Sequence, residues 1–244
     1  MSAGFQCKQF YIAHDRCAMK VGTDGFLLGA WAPLPTTGKI LDIGAGSGLI
    51  SIMLAQRSQG LVPITAIELD TSAAKQARDN IRLCPWSNSI DLITADILAY
   101  QPTERYRLIV SNPPFFQQSM PAKQANRQLA RHTDSLPFNR LLEKAATLLD
   151  NNGVFALILP SAVIDAFIQL AHSSGWQLQQ HCLVFTKANK PQRSLICLVP
   201  ANSQTALKPR RQTQLLIHNP DGSYTAEYQQ LLADFYLKFA NRKQ

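Results

Sequence analysis

Directly after the apolar run "YRLIV" comes "SNPPFF", which places Asn112, Pro113, Pro114 and Phe115 at the end of an apolar strand. Together these residue types suit the alkylation of an amino group attached to an aromatic ring. Such a nitrogen is a poor nucleophile, because its lone pair is delocalised into the ring. Acceptors that fix both hydrogens draw it toward a tetrahedral shape. The Asn112 amide oxygen can take one hydrogen and the Pro113 carbonyl the other. Proline sets its own φ and restricts the residue before it, so Pro114 holds the Pro113 carbonyl in one direction before anything binds. Phe115 can stack on the ring face, a contact worth roughly 1–3 kcal/mol for a nucleobase. The contribution is positioning and stabilisation of charge developing on nitrogen. Asn-Pro-Pro is also good turn chemistry anywhere, so its meaning depends on what stands beside it.

Upstream, "LDIGAGSGLI" puts Asp42 at a strand end and Gly44, Gly46 and Gly48 in alternate positions before a helix. Glycine allows a ligand close to bare main chain, and the helix start offers unpaired N–H groups. Glu68 closes the next strand in "AIELD", about twenty residues beyond the last glycine, where an acid can accept from both hydroxyls of a ribose. Asp96 ends a third strand in "TADI" and can accept from an exocyclic amine such as that of adenine. A bare tight turn, a solvated acid and a helix cap are the plain readings of these three features; their succession points to an adenosine-type cofactor. The spacing G-A-G-S-G lacks the third glycine of the dinucleotide fingerprint, which argues against a pyrophosphate.

The elements that must position these residues follow from periodicity. From Lys39, short apolar runs alternate with amphipathic stretches, the pattern of a parallel α/β sheet. Strands are expected in "KILDIG", "PITAIELD", "IDLITADI", "YRLIVSN", "GVFALILP", "WQLQQHCLVF" and "LICLVP". Helices are expected between them, one opened by a Thr/Ser cap in "TSAAKQARDNIRL" and one closed by Asn-Asn-Gly at 151–153. The expectation is therefore a seven-stranded, mainly parallel, doubly wound sheet with an antiparallel final hairpin. A single domain over 1–244 is expected, with a leader at 1–38, a core at 39–200 and an appendage at 201–244. In the appendage "QLLIHNPDGSYT" reads as a strand and "AEYQQLLADFYLKFA" as a helix.

With 244 residues, 46% of them hydrophobic, the chain can bury a substantial core. Its 24 Lys and Arg against 16 Asp and Glu give a net charge of +8, a general attraction to polyanions. The five cysteines, Cys7, Cys17, Cys84, Cys182 and Cys197, lack metal-ligand or disulfide spacing and read as reduced thiols of a cytoplasmic protein. No secretory leader or membrane-length apolar run is evident. The five histidines have no metal-ligand spacing, and no serine or cysteine sits in a nucleophile elbow, so no metal is expected.

"DIGAGSG", "IELD", "TADI" and "SNPPF", in this order, resemble the class I S-adenosylmethionine-dependent methyltransferases of the N-P-P-[YF] type, which methylate planar amide or amino nitrogens. The likeness of these motifs covers about residues 39–200. It implies a Rossmann-like fold and S-adenosylmethionine as cofactor, with Asn112, Pro113, Pro114 and Phe115 at the reacting nitrogen. The leader "FQCKQFYIAHDRCAMKVGTDGFLLGAWAP" and the tail "NPDGSYTAEYQQLLADFY" are similar to those of the branch that acts on tRNA. That branch implies N6-methylation of an adenosine beside an anticodon, by direct in-line transfer, with no membrane and no obligate protein partner.

Thr23 and Asp24 in "GTDG" are candidates for the methionine end of the cofactor. Lys8, His14, Arg16 and Lys20 alternate with Phe10, Tyr11 and Met19, a mixture that can grip an RNA backbone and stack bases or, equally, form a solvated face on a packed leader. Arg127, Arg131 and His132 follow the Asn-Pro-Pro motif in a segment that reads as a lid. Lys187, Lys190 and Arg193 lie in the loop before the last strand. Both groups are candidate phosphate contacts, with solvated charge as the plain alternative. Three other readings stay open: methylation of a guanine N2, a DNA adenine or a protein glutamine; a non-catalytic RNA-binding module; and a nucleotide-dependent dehydrogenase.

Overall fold

Two apolar faces on one twisted sheet organise the chain. In the computed structural model residues 3–17, 19–113, 136–189, 191–204 and 210–240 are described. The strands are β1 (Gly4–Gln6), β2 (Tyr11–Ala13), β3 (Ile40–Ile43), β4 (Ile64–Glu68), β5 (Ile90–Thr94), β6 (Tyr106–Ser111), β7 (Leu149–Pro160), β8 (Trp176–Phe185), β9 (Pro191–Pro200) and β10 (Arg211–Leu216). The helices are α1 (Thr23–Trp31), α2 (Leu49–Arg57), α3 (Thr71–Leu83), α4 (Phe138–Leu148), α5 (Ile164–Ser173) and α6 (Ala226–Leu232).

The main sheet has the order β10-β8-β9-β7-β6-β3-β4-β5. Strands β5, β4, β3, β6 and β7 are mutually parallel, and β9 runs antiparallel to both β7 and β8. All seven expected core strands are present, together with the antiparallel hairpin. An eighth is added by β10, which pairs in parallel with β8 from Gln180 to Phe185. The seven-strand count is corrected accordingly. Strand β10 is the appendage strand expected from Gln214, shifted to Arg211–Leu216; four of its six residues are exposed, and what the expected count lacked was its pairing with the main sheet.

Alternate residues of each strand serve opposite faces. Ile40, Ile64, Leu108, Val110 and Ile158 pack with α1 and α2 on one side. Leu41, Ile43, Ile109 and Leu157 pack with α4 and α5 on the other. That period-two division is the signature of strands buried on both faces.

Three helix ends differ from expectation; the C-terminal helix expected over 226–240 is α6, which ends at Leu232. Helix α3 is capped by Asp70, whose carboxylate accepts from the Ala73 N–H at 2.7 Å, rather than by Thr71 or Ser72. Helix α4 ends at Leu148, ahead of Asn-Asn-Gly; the pairing of β6 with β7 jumps from Tyr106–Leu149 to Leu108–Val154, so residues 150–153 bulge within the strand.

The leader is part of the core. Strands β1 and β2 form a hairpin, and Cys7, Phe10 and Ile12 are buried. Helix α1 lies close on α2: a Cβ at Gly29 would stand 2.7 Å from Met53 Sδ, and one at Gly25 2.9 Å from Leu49 Cδ2. The C-terminal segment closes over the leader through Phe5, Phe26 and Tyr236, whose ring centroids lie 4.9–5.3 Å apart. Among the described residues no helix is long and apolar enough to cross a membrane.

Candidate functional site

Four adjacent strand ends, those of β6, β3, β4 and β5, bring Asn112, the glycine loop, Glu68 and Asp96 into one row. The loop conformation explains its glycines. Gly44, Gly46 and Gly48 have φ of 74°, 56° and 81°, in the left-handed region that other residues enter at a cost. Cβ atoms placed on Gly44 and Gly46 would meet nothing within 4 Å, so backbone conformation rather than crowding demands glycine there, and the bare main chain borders open space.

The loop is tied to β4. The Gly44 and Ala45 N–H groups donate to the Ile67 carbonyl at 2.9 and 3.0 Å. The Gly46 N–H donates to Glu68 Oε2 at 2.8 Å, and the Asp70 N–H donates to Oε1 at 2.8 Å. Both oxygens of the partly exposed Glu68 are thus fixed from behind. A carboxylate has about four acceptor positions, so two remain for an incoming pair of hydroxyls.

Asp42 lies beneath the loop with no solvent exposure; Ser51 donates to its Oδ2 at 2.6 Å, and Oδ1 has no partner among the described residues. Burial pushes its carboxyl up to about 6. Asp42, expected at the cofactor, is thus joined to the first turn of α2 across the glycine loop. Asp96 is exposed; its Oδ1 accepts from the Leu98 N–H at 2.8 Å.

At β6, Ser111 sits opposite Ile43 in the ladder and donates through Oγ to the Ile43 carbonyl at 2.9 Å. This bond holds the end of β6, and with it Asn112, beside the end of β3 from which the glycine loop leaves. Asn112 Oδ1 is shielded from solvent and has no hydrogen-bond donor among the described residues. A buried acceptor without a donor is uncommon and invites explanation. Pro113 is buried, while Pro114 and Phe115 lie outside the described residues.

The remaining candidates divide. Thr23 is exposed at the start of α1, and Asp24 Oδ2 accepts from Arg193 Nε at 2.8 Å. A residue expected at the cofactor and one expected at RNA are thus partners. The Lys8 ammonium donates to the carbonyls of Ala233 and Phe239 at 2.6 and 2.7 Å, a tether between leader and C-terminal segment. His14 Nδ1 accepts from the Val21 N–H, and Arg16 pairs with Asp79 at 3.1 Å. Phe10 is buried in the core and offers no stacking surface. Lys20 and Lys187 are exposed; Arg127, Arg131, His132 and Lys190 lie outside the described residues.

One positioning residue escaped the sequence reading. Asn80, buried in α3, donates to the carbonyls of Ser47 at 2.8 Å and Ala13 at 2.9 Å and accepts from the Ala13 N–H at 3.1 Å, joining the glycine loop to the leader. Its signal was a polar side chain at helical spacing from Ala73, Ala77 and Ile81 on the apolar stripe. Among the described residues no cluster of His, Cys, Asp and Glu could hold a metal.

The glycine cradle, the pre-fixed acid and the donor-less amide oxygen together fit S-adenosylmethionine beside an amino group. Comparison with known proteins agrees with this chemistry. Residues 20–169 match the family model of the methyltransferase small domain. The chain is 44% identical over 238 residues, 97% of its length and 96% of the relative's, to a tRNA1(Val) (adenine(37)-N6)-methyltransferase of Photorhabdus laumondii. It is 45% identical over 237 residues, 96% of its length and 95% of the relative's, to one of Cronobacter sakazakii. The crystal structure of a predicted O-methyltransferase from Agrobacterium tumefaciens shares the fold at a TM-score of 0.64 and 18% identity, over 91% of this chain and 99% of that one. The chain belongs to the methyltransferase small domain family, with the α/β fold of class I methyltransferases.

Proposed function

We propose that the protein transfers a methyl group from S-adenosylmethionine to N6 of an adenosine in tRNA, at position 37 beside the anticodon of tRNA(Val). The observation that carries this reading is Asn112 Oδ1, a shielded acceptor with no donor among the described residues, held one strand away from the glycine cradle. An amino group entering there supplies the missing donor.

When bound, S-adenosylmethionine offers a methyl group on a positively charged sulfur. The chain's residues bind and orient around that chemistry. Gly44, Gly46 and Gly48 present main chain to the cofactor, Glu68 accepts from its ribose hydroxyls, and Asp96 accepts from its adenine amine through the oxygen not engaged by Leu98. Thr23 and Asp24 close over its methionine end. Asn112 Oδ1 and the Pro113 carbonyl accept the two hydrogens of the target N6, and Pro114 and Phe115 hold and stack the ring. As charge develops on nitrogen these fixed oxygens stabilise it without reorganising.

Substrate choice rests on the relatives, which are named for tRNA1(Val) and adenine 37, and on the net charge of +8. Lys20, Lys187 and Lys190, with Arg127 and Arg131, are proposed phosphate contacts. A target in an anticodon loop costs less to flip out than one in a duplex. We further propose that residues 1–244 work as one unit in a reducing cytoplasm, in keeping with five unpaired cysteines.

The test is transfer of labelled methyl from S-adenosylmethionine into unmodified bulk tRNA, followed by nucleoside analysis, with Asn112→Ala as control. Label in N6-methyladenosine that disappears in the control is expected. Label absent from tRNA but present in ribosomal RNA, DNA or protein would overturn the substrate assignment.

A further inference from the structure

Farther along the strand-end edge that carries Asn112 lies a cavity of about 360 Å³, where the start of α1, the β8–β9 turn and the C-terminal segment meet. Arg193, on its wall, pairs with Pro160 at the end of β7, and β7 pairs with β6 through Leu157 and Ser111. Two strand spacings separate β9 from β6, about 10 Å. A nucleotide neighbouring the target base in the same loop can span that interval.

The lining indicates what would enter. One wall is aromatic: the His218 and Tyr224 rings lie 4.8 Å apart at 33°, and Tyr224 stacks on Tyr228 at 5.2 Å and 17°. The Lys238 ammonium stands 4.4 Å over the Tyr224 ring. The lining also includes the polar Asp24, Thr186, Gln192 and Arg193 and the apolar Leu27, Val184 and Ile217. The Asp24 carboxylate beside the Arg193 guanidinium cancels its charge, which disfavours a bare phosphate; the polar groups disfavour a purely apolar ligand. A neutral planar heterocycle with donors and acceptors on its edge satisfies both the aromatic and the polar parts of the lining, as bases do in single-stranded RNA sites. The size is that of a small-ligand pocket.

We propose that this cavity receives the base of a nucleotide flanking the methylated adenosine and so helps select the RNA loop. The inference rests on the RNA methyltransferase reading above. It assigns Asp24 and Arg193 to a substrate pocket as well as to the junction of α1 with β9.

The experiment compares wild type, His218→Ala, which removes part of the aromatic wall, and Gln192→Trp, which fills the cavity from an exposed position. Probes are an unmodified tRNA transcript and anticodon stem-loops carrying an abasic site on either side of the target. Both variants are expected to raise the RNA KM about tenfold, consistent with one lost stacking contact, with kcat and cofactor affinity unchanged. One abasic probe should penalise wild type by a similar factor and His218→Ala no further. Wild-type KM in both variants, or abasic penalties that add in full to theirs, would overturn the proposal while leaving the methyltransferase reading intact. Should one variant not fold, the other decides. A wild-type enzyme that methylates no RNA would overturn both.

Discussion

The Gly46 N–H and the Glu68 carboxylate are joined at 2.8 Å, so the acid proposed to meet the cofactor's ribose also fixes the glycine loop. Hydrogen bonds to a charged acceptor contribute about 1.5–3 kcal/mol each. Glu68→Gln, which keeps the shape and removes the charge, should weaken S-adenosylmethionine binding by at least about tenfold in calorimetry. Unchanged affinity would remove the ribose role from Glu68.

Asn112 makes a different kind of prediction, because its buried oxygen has no donor among the described residues. Asn112→Ala should lower kcat by about 10²–10³ while cofactor affinity stays constant. The same change should leave the melting temperature unaltered or raise it, since an unsatisfied buried acceptor costs about 1–3 kcal/mol. A fall in stability together with activity would mean that Asn112 serves the fold.

Asp42 predicts a pH dependence. Its carboxyl moves from the ordinary 3.8 up to about 6 in the folded chain, because burial penalises the charged form. Between those values the native state holds the proton more tightly than the unfolded state, so stability falls as pH rises through this window and levels off above about 6. Asp42→Asn should therefore gain on wild type as pH rises, by about 2–3 kcal/mol at pH 7.5 relative to pH 4. Denaturant titrations showing a constant difference over that range would refute the buried-charge account.

Two lysines that the sequence offered alike as RNA contacts should now behave differently. Lys8→Met removes an ammonium that bridges two carbonyls and should cost about 2 kcal/mol of stability without altering the salt dependence of RNA binding. Lys187→Glu, at an exposed position, should leave stability within about 0.5 kcal/mol and raise the RNA KM, with a salt slope shallower by about one. Equal effects on RNA binding would sink the division.

The Asp24–Arg193 pair is partly exposed, at 25% and 34%. A double-mutant cycle with Asp24→Asn and Arg193→Gln should give a coupling of at most about 1 kcal/mol, diminished by salt. A coupling well above that would show a desolvated pair. Because reversing Arg193 also breaks this contact, its effect on RNA cannot be read from a charge reversal alone.

What the sequence determined by itself was the row of strand ends and the residue types placed at them. Strand periodicity, alternate glycines and an asparagine before two prolines are local properties, written within a few residues of one another, so β3 to β9 and the Asn112, Gly44–Gly48, Glu68 and Asp96 positions were legible. Only the tertiary structure decided which charged residues remain available. Lys8, Arg16 and Arg193 look alike as letters, yet each meets a partner that is remote in the chain, at Ala233 and Phe239, at Asp79 and at Asp24. The same holds for the place of β10 in the main sheet beside β8, where the sequence showed only an appended strand, and for Asn80, whose three hydrogen bonds reach the leader and the glycine loop. Contacts across such separations depend on how the layers pack, and no local pattern records them.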